Sequence, residues 1–246
     1  MDNIYALAQK PDSCLVCEVA QACFAGGVDR AHLAELAAHL QAPRPVRRRQ
    51  HLFRAGDASK GLFLVQSGCF KVYGLDQLGR EYIEGFRLPG SILGLHSLYD
   101  GHHQFNAVAL ADSTVCALAL GMLQSASARV PDFLKTFLRL VGQELLDGAF
   151  LTGDLSAEER LVSFLLRFAS KLHADVSDGM LYLYMTRGDI ASYLRLAPAT
   201  VSRILTKLQG DGVIDSDYHH IRILDYARLK DLGRNIRFAS LGQIPA

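Results

Sequence analysis

Apolar residues between Val130 and Leu151 recur at intervals of three and four, which is the spacing of one face of an α-helix. One stripe consists of Leu134, Leu138, Val141 and Leu145. A second stripe consists of Phe133, Phe137 and Leu140. A helix with two apolar stripes can pack on its own domain and also on a second copy of itself. The pattern therefore predicts a connecting and dimerising helix over residues 130–152, with the first stripe at the dimer interface. An ordinary core helix is the alternative.

The stretch before this helix has a different rhythm. From Val46 to about Leu120, short apolar or alternating runs are separated by turn residues such as Ala55-Gly56-Asp57 and Leu88-Pro89-Gly90. This spacing predicts an antiparallel β-roll or barrel. Upstream of it, Asp29 is the expected N-cap of an amphipathic helix. These elements together predict a roll domain over residues 29–129, in which His102 and His103 lie on a surface loop.

The stretch after the long helix reads as helices followed by a hairpin. A capping box formed by Ser156 and Glu159 predicts one helix start, and Thr186 with Asp189 predicts a second. A three-residue turn then precedes Pro198, which suits the first position of another helix. The last pair of helices, with the hairpin predicted at Val213 to Leu224, forms a winged helix-turn-helix within residues 153–246.

The second helix of this motif has an outer face of a distinctive kind. Its inward positions are Val201, Leu205 and Leu208. The side chains predicted to lie at DNA are Thr186, Arg187, Ala199, Thr200, Ser202, Arg203 and Lys207. Two core helices joined by a tight turn are the alternative, but they leave an acid-free outer face unexplained. The pattern therefore predicts binding to double-stranded DNA through the major groove.

Composition limits the class of protein without deciding its function. The chain has 246 residues, enough for two domains, and a formal net charge of +1, which by itself gives no support to nucleic-acid binding. Charged residues interrupt every apolar run before the roughly 18 residues that a membrane span needs. The N-terminal residues do not have the pattern of a signal peptide. We expect a cytoplasmic protein that does not interact with a membrane.

Three of the five cysteines are clustered near the N-terminus. Cys14, Cys17 and Cys23 follow a C-x2-C-x5-C spacing, and thiolates are preferred ligands of zinc and of iron–sulfur clusters. Either centre takes four protein ligands, so Cys69 and Cys116 are the candidates for the fourth. The spacing predicts a metal-binding segment over residues 1–28; it does not choose the metal, and three free thiols remain the alternative.

With these parts placed, the sequence resembles the Crp/Fnr superfamily of bacterial transcription regulators, and its Fnr branch in particular. The resemblance covers nearly the whole chain. It depends on the cysteine set and on further motifs: Leu52 to Asp57, Ser67-Gly68 with Lys71, Gly85-Phe86, Ala157 to Leu161, and Thr186 to Ile190 followed by Val201 to Arg203. It implies an α+β fold. The expected parts are an N-terminal cyclic-nucleotide-binding-like β-roll, a long dimerisation helix and a C-terminal winged helix-turn-helix.

The resemblance also implies a cofactor and a mode of action. Fnr-type oxygen sensors bind a 4Fe–4S cluster, and their pattern selects Cys14, Cys17, Cys23 and Cys116 as its ligands, with zinc as the alternative metal. Cys69 is then a small buried residue. The family implies a homodimer that binds a palindromic DNA site, dimerisation controlled by the cluster, and contact with RNA polymerase through loops such as Asp76 to Glu81.

This chain departs from the Fnr pattern on its predicted recognition helix. Fnr proteins typically carry Glu where this chain has Ala199. The stretch Gly90 to Ala109 lacks both the first-turn acid and the Arg that bind cyclic nucleotides in relatives, which argues against cyclic AMP. Neither a P-loop nor a hydrolase motif is present, so no enzyme is expected. The rivals are a zinc-stabilised DNA-binding module and a regulator that responds to another small molecule.

Overall fold

The computed structural model describes residues 17, 19–20, 23, 25–26, 28–130, 132–149, 154–172, 180–217 and 219–233. The chain divides into two compact units, one formed by residues 1–74 and 86–146 and the other by residues 75–85 and 147–246. No helix within the described ranges is long and apolar enough to cross a membrane.

The predicted β-roll is present as two four-stranded antiparallel sheets. One sheet has the order β1-β8-β3-β6 and the other the order β2-β7-β4-β5. The strands are β1 (Arg44–Val46), β2 (His51–Phe53), β3 (Gly61–Ser67), β4 (Phe70–Leu75), β5 (Glu81–Arg87), β6 (Ile92–Leu93), β7 (Asn106–Ala109) and β8 (Ser113–Ala119). Alternation of side chains along each strand gives the first sheet two apolar faces, so it is covered on both sides.

Two hydrophobic layers cover these faces. The layer between the two sheets contains residues of both, among them Phe53, Phe70 and Val115. The second layer lies between the first sheet and three helices, and we call it the helix-side core. It contains Leu62, Leu64 and Leu118 from the sheet, together with helix residues such as Leu36 and Phe133. Cys23 belongs to the helix-side core, and Cys116 packs against it.

The three helices of this layer are α1 (Leu33–His39), α2 (Leu120–Arg129) and α3 (Phe133–Ala149). Asp29 does not cap α1 directly. Its Oδ1 accepts from the N–H of Ala31 in a 3-10 turn over Arg30–His32, which precedes the α-helix. The sequence did not predict α2, which begins without a side-chain cap.

Helix α3 is the long helix that the apolar pattern predicted, and its two stripes have different environments. Phe133, Phe137 and Leu140 are 0, 7 and 6% exposed and belong to the helix-side core. Leu134, Leu138 and Leu145 are 52, 58 and 72% exposed. Val141 is partly buried against the same core. One stripe therefore packs on the roll and leaves the other accessible, as a helix with two partners requires.

The second unit contains the predicted winged helix-turn-helix. Its elements are α4 (Ala157–Lys171), β9 (Met180–Tyr182), α5 (Arg187–Leu194), α6 (Pro198–Gly210), β10 (Ile214–Ser216), β11 (His220–Ile223) and α7 (Tyr226–Leu232). Both predicted capping boxes are formed, and Pro198 occupies the first turn of α6. Strands β10 and β11 pair as the wing hairpin, and β9, which the sequence did not predict, pairs with β11.

The surface position predicted for His103 is wrong. His103 is 4% exposed, and its ring stacks on Phe53 with 3.7 Å between ring centroids. Two backbone hydrogen bonds explain this placement: the N–H of His103 donates to the carbonyl of Asp57, and its own carbonyl accepts from the N–H of Gly56. They turn the ring inward, and burial lowers the pKa of His103. His102 is exposed as predicted.

Candidate functional site

Cys23 lies within the helix-side core. It is 3% exposed, and its Sγ accepts a hydrogen bond from the N–H of Ala25 at 3.4 Å and lies 3.3 Å from the carbonyl oxygen of Ala20. These local contacts curl the backbone around the sulfur. Ala25 and Val28, which follow Cys23, also belong to this core.

Two further cysteines lie at the first sheet. Cys116 is in β8, where it pairs with Leu64 of β3 and packs against the helix-side core. The side-chain amide nitrogen of Gln66 in β3 lies 3.7 Å from the Sγ of Cys17. A β-bulge interrupts the pairing of β3 with β8 between Val65 and Ser67, so simple strand alternation does not assign Gln66 to the face of Cys116. Cys17 therefore lies beside the sheet that contains Cys116, although the two cysteines are far apart in sequence.

The described residues do not themselves form a completed metal centre. Within those ranges, no three His, Cys, Asp or Glu side chains are grouped so that they could hold a metal ion. Cys14, the remaining predicted ligand, lies outside the described residues. Cys69 is fully buried, and that burial raises the pKa of its thiol far above the usual range. Cys69 is therefore the small buried residue that the resemblance implied.

The helix-turn-helix places the predicted DNA-binding residues on an accessible surface. Val201, Leu205 and Leu208 are buried as predicted, because α6 packs on α5 and α4 through them. On the opposite side, Ala199 and Arg203 are exposed. Thr200 and Ser202 are partly exposed. The outer face of α6 is thus exposed or partly exposed at these positions, which a major-groove helix uses.

The guanidinium of Arg203 is supported by its own helix. Its Nη2 donates to the Oγ1 of Thr200 at 3.3 Å, and its Nε donates to the carbonyl of Ala199 at 3.4 Å. Both bonds are long and solvent-exposed, so each is weak. The methyl group of Ala199 offers no hydrogen-bond acceptor. The hydroxyl of Thr200 is therefore the side-chain acceptor that Arg203 uses.

The other predicted DNA-binding side chains have structural contacts as well. Thr186 accepts from the N–H of Asp189 as the N-cap of α5. Arg187 donates through Nη2 to the carbonyl of Asp217 in the wing turn, which ties the start of α5 to the wing. Lys207 Nζ donates to both carboxylate oxygens of Glu158 on α4, and this carboxylate raises the pKa of Lys207. No local sequence pattern indicates that Glu158 belongs to this surface, because it lies 49 positions from Lys207.

Comparison with known proteins gives the same two-part organisation. Residues 43–129 match the family model for the cyclic nucleotide-binding domain, and residues 159–232 match that for the Crp-like helix-turn-helix domain. The chain is 31% identical to the electron transport regulator A of Shewanella oneidensis, over 92% of both chains. It is 32% identical to the fumarate and nitrate reduction regulatory protein of Escherichia coli K12, over 91% of both.

A solved structure has the same fold. The structure of FixK2 from Bradyrhizobium japonicum aligns with a TM-score of 0.68 at 28% identity, covering 78% of this chain and 96% of that one. An anaerobic regulatory protein of Pasteurella multocida is 31% identical over 89% of this chain and 82% of its own. With its roll, its winged helix-turn-helix and relatives of this similarity along nearly its full length, the chain belongs to the Crp/Fnr family of DNA-binding transcription regulators, in the Fnr branch, and is not an enzyme.

Proposed function

We propose that the protein is an oxygen-responsive cytoplasmic transcription regulator whose Cys14, Cys17, Cys23 and Cys116 hold a 4Fe–4S cluster. The observation that carries the proposal is that Cys23 lies in the helix-side core and Cys116 packs against it, beside the helix that offers an exposed apolar stripe. Cys17 lies 3.7 Å from Gln66 of β3, in the sheet that also contains Cys116. The names of the Fnr-type relatives, which refer to anaerobic regulation and electron transport, support the same assignment.

The donor set fits such a cofactor. The donors are thiols, which suit iron–sulfur clusters and zinc, and Cys17 and Cys116 are only partly buried. When bound, a 4Fe–4S cluster supplies an oxygen-sensitive centre, and ligating it stabilises the fold of the segment that holds it. Cys116 would fix this centre to β8, and the other three ligands would hold residues 1–28 against the roll.

The exposed stripe of α3 supports dimerisation as the property that the proposed cluster controls. Leu134, Leu138 and Leu145 form an accessible apolar line, and such a line is unfavourable in water unless a partner covers it. A second copy can supply the same surface around a twofold axis. We propose that residues 130–152 form the dimerisation helix between the roll (29–129) and the DNA-binding domain (153–246). The dimer then presents two α6 helices to the two halves of a palindromic operator.

We further propose that the turn between β4 and β5, over Asp76 to Glu81, contacts RNA polymerase. The turn is internally braced, since Asp76 accepts from the backbone N–H groups of Leu78 and Arg80 and also pairs with the Arg80 side chain at 2.7 Å. Leu78 within the turn is 76% exposed, and Leu75 just before it is 58% exposed. A rigid turn with exposed apolar side chains is suited to docking on another protein.

Anaerobic purification followed by visible spectroscopy and by iron and sulfide analysis tests the cofactor. We expect a straw-brown protein with about four irons and four sulfides per chain that bleaches in air. Cys116→Ser should lose the cluster because a hydroxyl is a poor substitute for a thiolate. The matched control Cys69→Ser should keep it. A colourless protein that contains zinc would instead support the rival, a zinc-stabilised DNA-binding module.

A further inference from the structure

Beside the buried stripe of α3, the helix carries a buried hydroxyl, that of Thr136, which bonds outside its own helix. Thr136 is 4% exposed, and its Oγ1 donates to the carbonyl oxygen of Gly26 at 3.1 Å. A threonine inside a helix commonly bonds to a carbonyl of its own preceding turn. Here the donor crosses instead to the cysteine segment, and this bond joins residues that are 110 positions apart.

Gly26 is in turn bonded to Cys23, a predicted ligand. The N–H of Gly26 donates to the carbonyl of Cys23 at 3.0 Å, so the two residues close one backbone turn. The N–H of Ala25, inside that turn, donates to the Cys23 sulfur. Since these bonds fix the turn as one unit, a displacement of Cys23 also displaces the carbonyl of Gly26. The contacts therefore run without a gap from Cys23 through Gly26 to Thr136.

The surroundings make this bond close to all-or-none. Cys23, Ala25, Phe133 and Phe137 belong to the same apolar helix-side core as this bond. A buried carbonyl that loses its donor in such a place is strongly penalised, because water cannot replace the donor without opening the core. The first turns of α3 and the turn at Cys23 consequently favour being held together or separating together.

We propose that Thr136 is the positioning residue through which ligation at Cys23 sets the position of α3, and with it the presentation of the apolar stripe formed by Leu134, Leu138 and Leu145. The proposal rests on the cysteine centre and the dimer proposed above. Thr136 touches neither the proposed centre nor DNA. It acts by keeping the segment that carries Cys23 and the dimerisation helix in one arrangement.

Two matched variants test the coupling. Thr136→Val keeps the branched shape and removes the donor, whereas Thr136→Ser keeps the donor. Dimer dissociation constants would be measured by sedimentation for the anaerobic protein and for the same protein after its iron and sulfide are removed. In Thr136→Val the ratio of the two constants should shrink by roughly tenfold relative to the native ratio, while Thr136→Ser should retain most of it. If the two constants of Thr136→Val change by one common factor, the residue is only structural and the proposal is wrong.

A second measurement separates this inference from the proposed cofactor. In iron-free protein, amide hydrogen exchange should be faster in Thr136→Val than in the native chain, both at the turn around Gly26 and in the first turns of α3. Exchange in α7 should be the same in the two proteins. Faster exchange in α3 alone would contradict the coupling. Absence of iron and sulfide from the native anaerobic protein would contradict the proposed cofactor instead, and the exchange result would still decide whether Thr136 joins the two segments.

Discussion

Lys207, at the C-terminal end of the predicted recognition helix, is held by Glu158 at the start of α4. Its Nζ lies 2.8 and 2.9 Å from the two carboxylate oxygens, and the Lys207 side chain is 57% exposed. The pair joins α6 to the helix beneath it, across 49 positions of sequence. Lys207, which the sequence predicts to lie at DNA, is thus already paired with a carboxylate of its own chain.

This pairing predicts that Lys207 contributes little to phosphate binding. Each phosphate contact adds about 0.9 to the slope of log affinity against log salt concentration. Lys207→Gln should leave that slope unchanged in a binding series with operator DNA, whereas Arg203→Ala should weaken binding. A loss of about one from the slope in Lys207→Gln would mean that the lysine leaves Glu158 to contact the backbone.

A second ion pair connects the roll to α3. Arg87 at the end of β5 lies 3.0 Å from Glu144, and both side chains are only 11% exposed. Removing one partner leaves the other charge nearly buried without this ion pair, so Glu144→Leu should lower the free energy of unfolding by about 3 kcal/mol. The double variant Arg87→Met with Glu144→Leu should recover most of that loss, because an apolar pair can replace a buried ion pair. Urea unfolding of all four proteins checks this, and additive losses would contradict it.

Leu145→Glu should weaken the proposed dimer and leave the fold intact. The side chain is 72% exposed, so the roll tolerates a charge there, but a twofold seam would bury that charge twice. Lys135→Glu is the control, since Lys135 is also exposed and lies about 100° around the helix from the stripe. Sedimentation of the anaerobic proteins should find only Leu145→Glu dissociated. Equal behaviour of the two variants would place the seam elsewhere.

Ala199 should relax base preference at one position of each half-site. A glutamate there accepts from cytosine N4, whereas a methyl group can only touch a thymine methyl or leave the base edge to water. Ala199→Glu should therefore create a cytosine preference in sites selected from random DNA. Arg203→Ala should lose guanine preference, a contact worth about 1–3 kcal/mol. Identical consensus sites from the native protein and Ala199→Glu would refute the prediction.

The buried position of His103 predicts acid sensitivity of the roll. Burial lowers the pKa of His103, so below about 6.5 the unfolded chain takes up a proton that the folded protein resists. The free energy of unfolding should fall as the pH drops through that region. His103→Phe, which keeps a ring against Phe53, should make this fall shallower, and His102→Phe should not. Some dependence should remain, because burial and the nearby Arg54 and Lys71 also lower the pKa of His51.

The sequence by itself determined the elements whose signals are local. Both capping boxes formed as predicted because each joins a side chain to the backbone three residues away, within a single turn. The two stripes of α3 and the inward face of α6 followed from helical periodicity, and the strands of the roll from turn residues between short apolar runs. Helix α2 was not predicted, because it begins without a side-chain cap that would mark its start in the sequence.

Only the tertiary structure decided which distant residues meet. Local periodicity carries no information on the bond from Thr136 to Gly26 or the ion pair of Lys207 with Glu158, because both depend on how whole elements pack. The same holds for His103, whose neighbour His102 is exposed: two backbone bonds to a separate loop turned one ring inward. The cysteine spacing predicted ligand chemistry, but only the packing shows that Cys116 of β8 lies against the same core as Cys23, and that Cys17 lies beside Gln66 of β3.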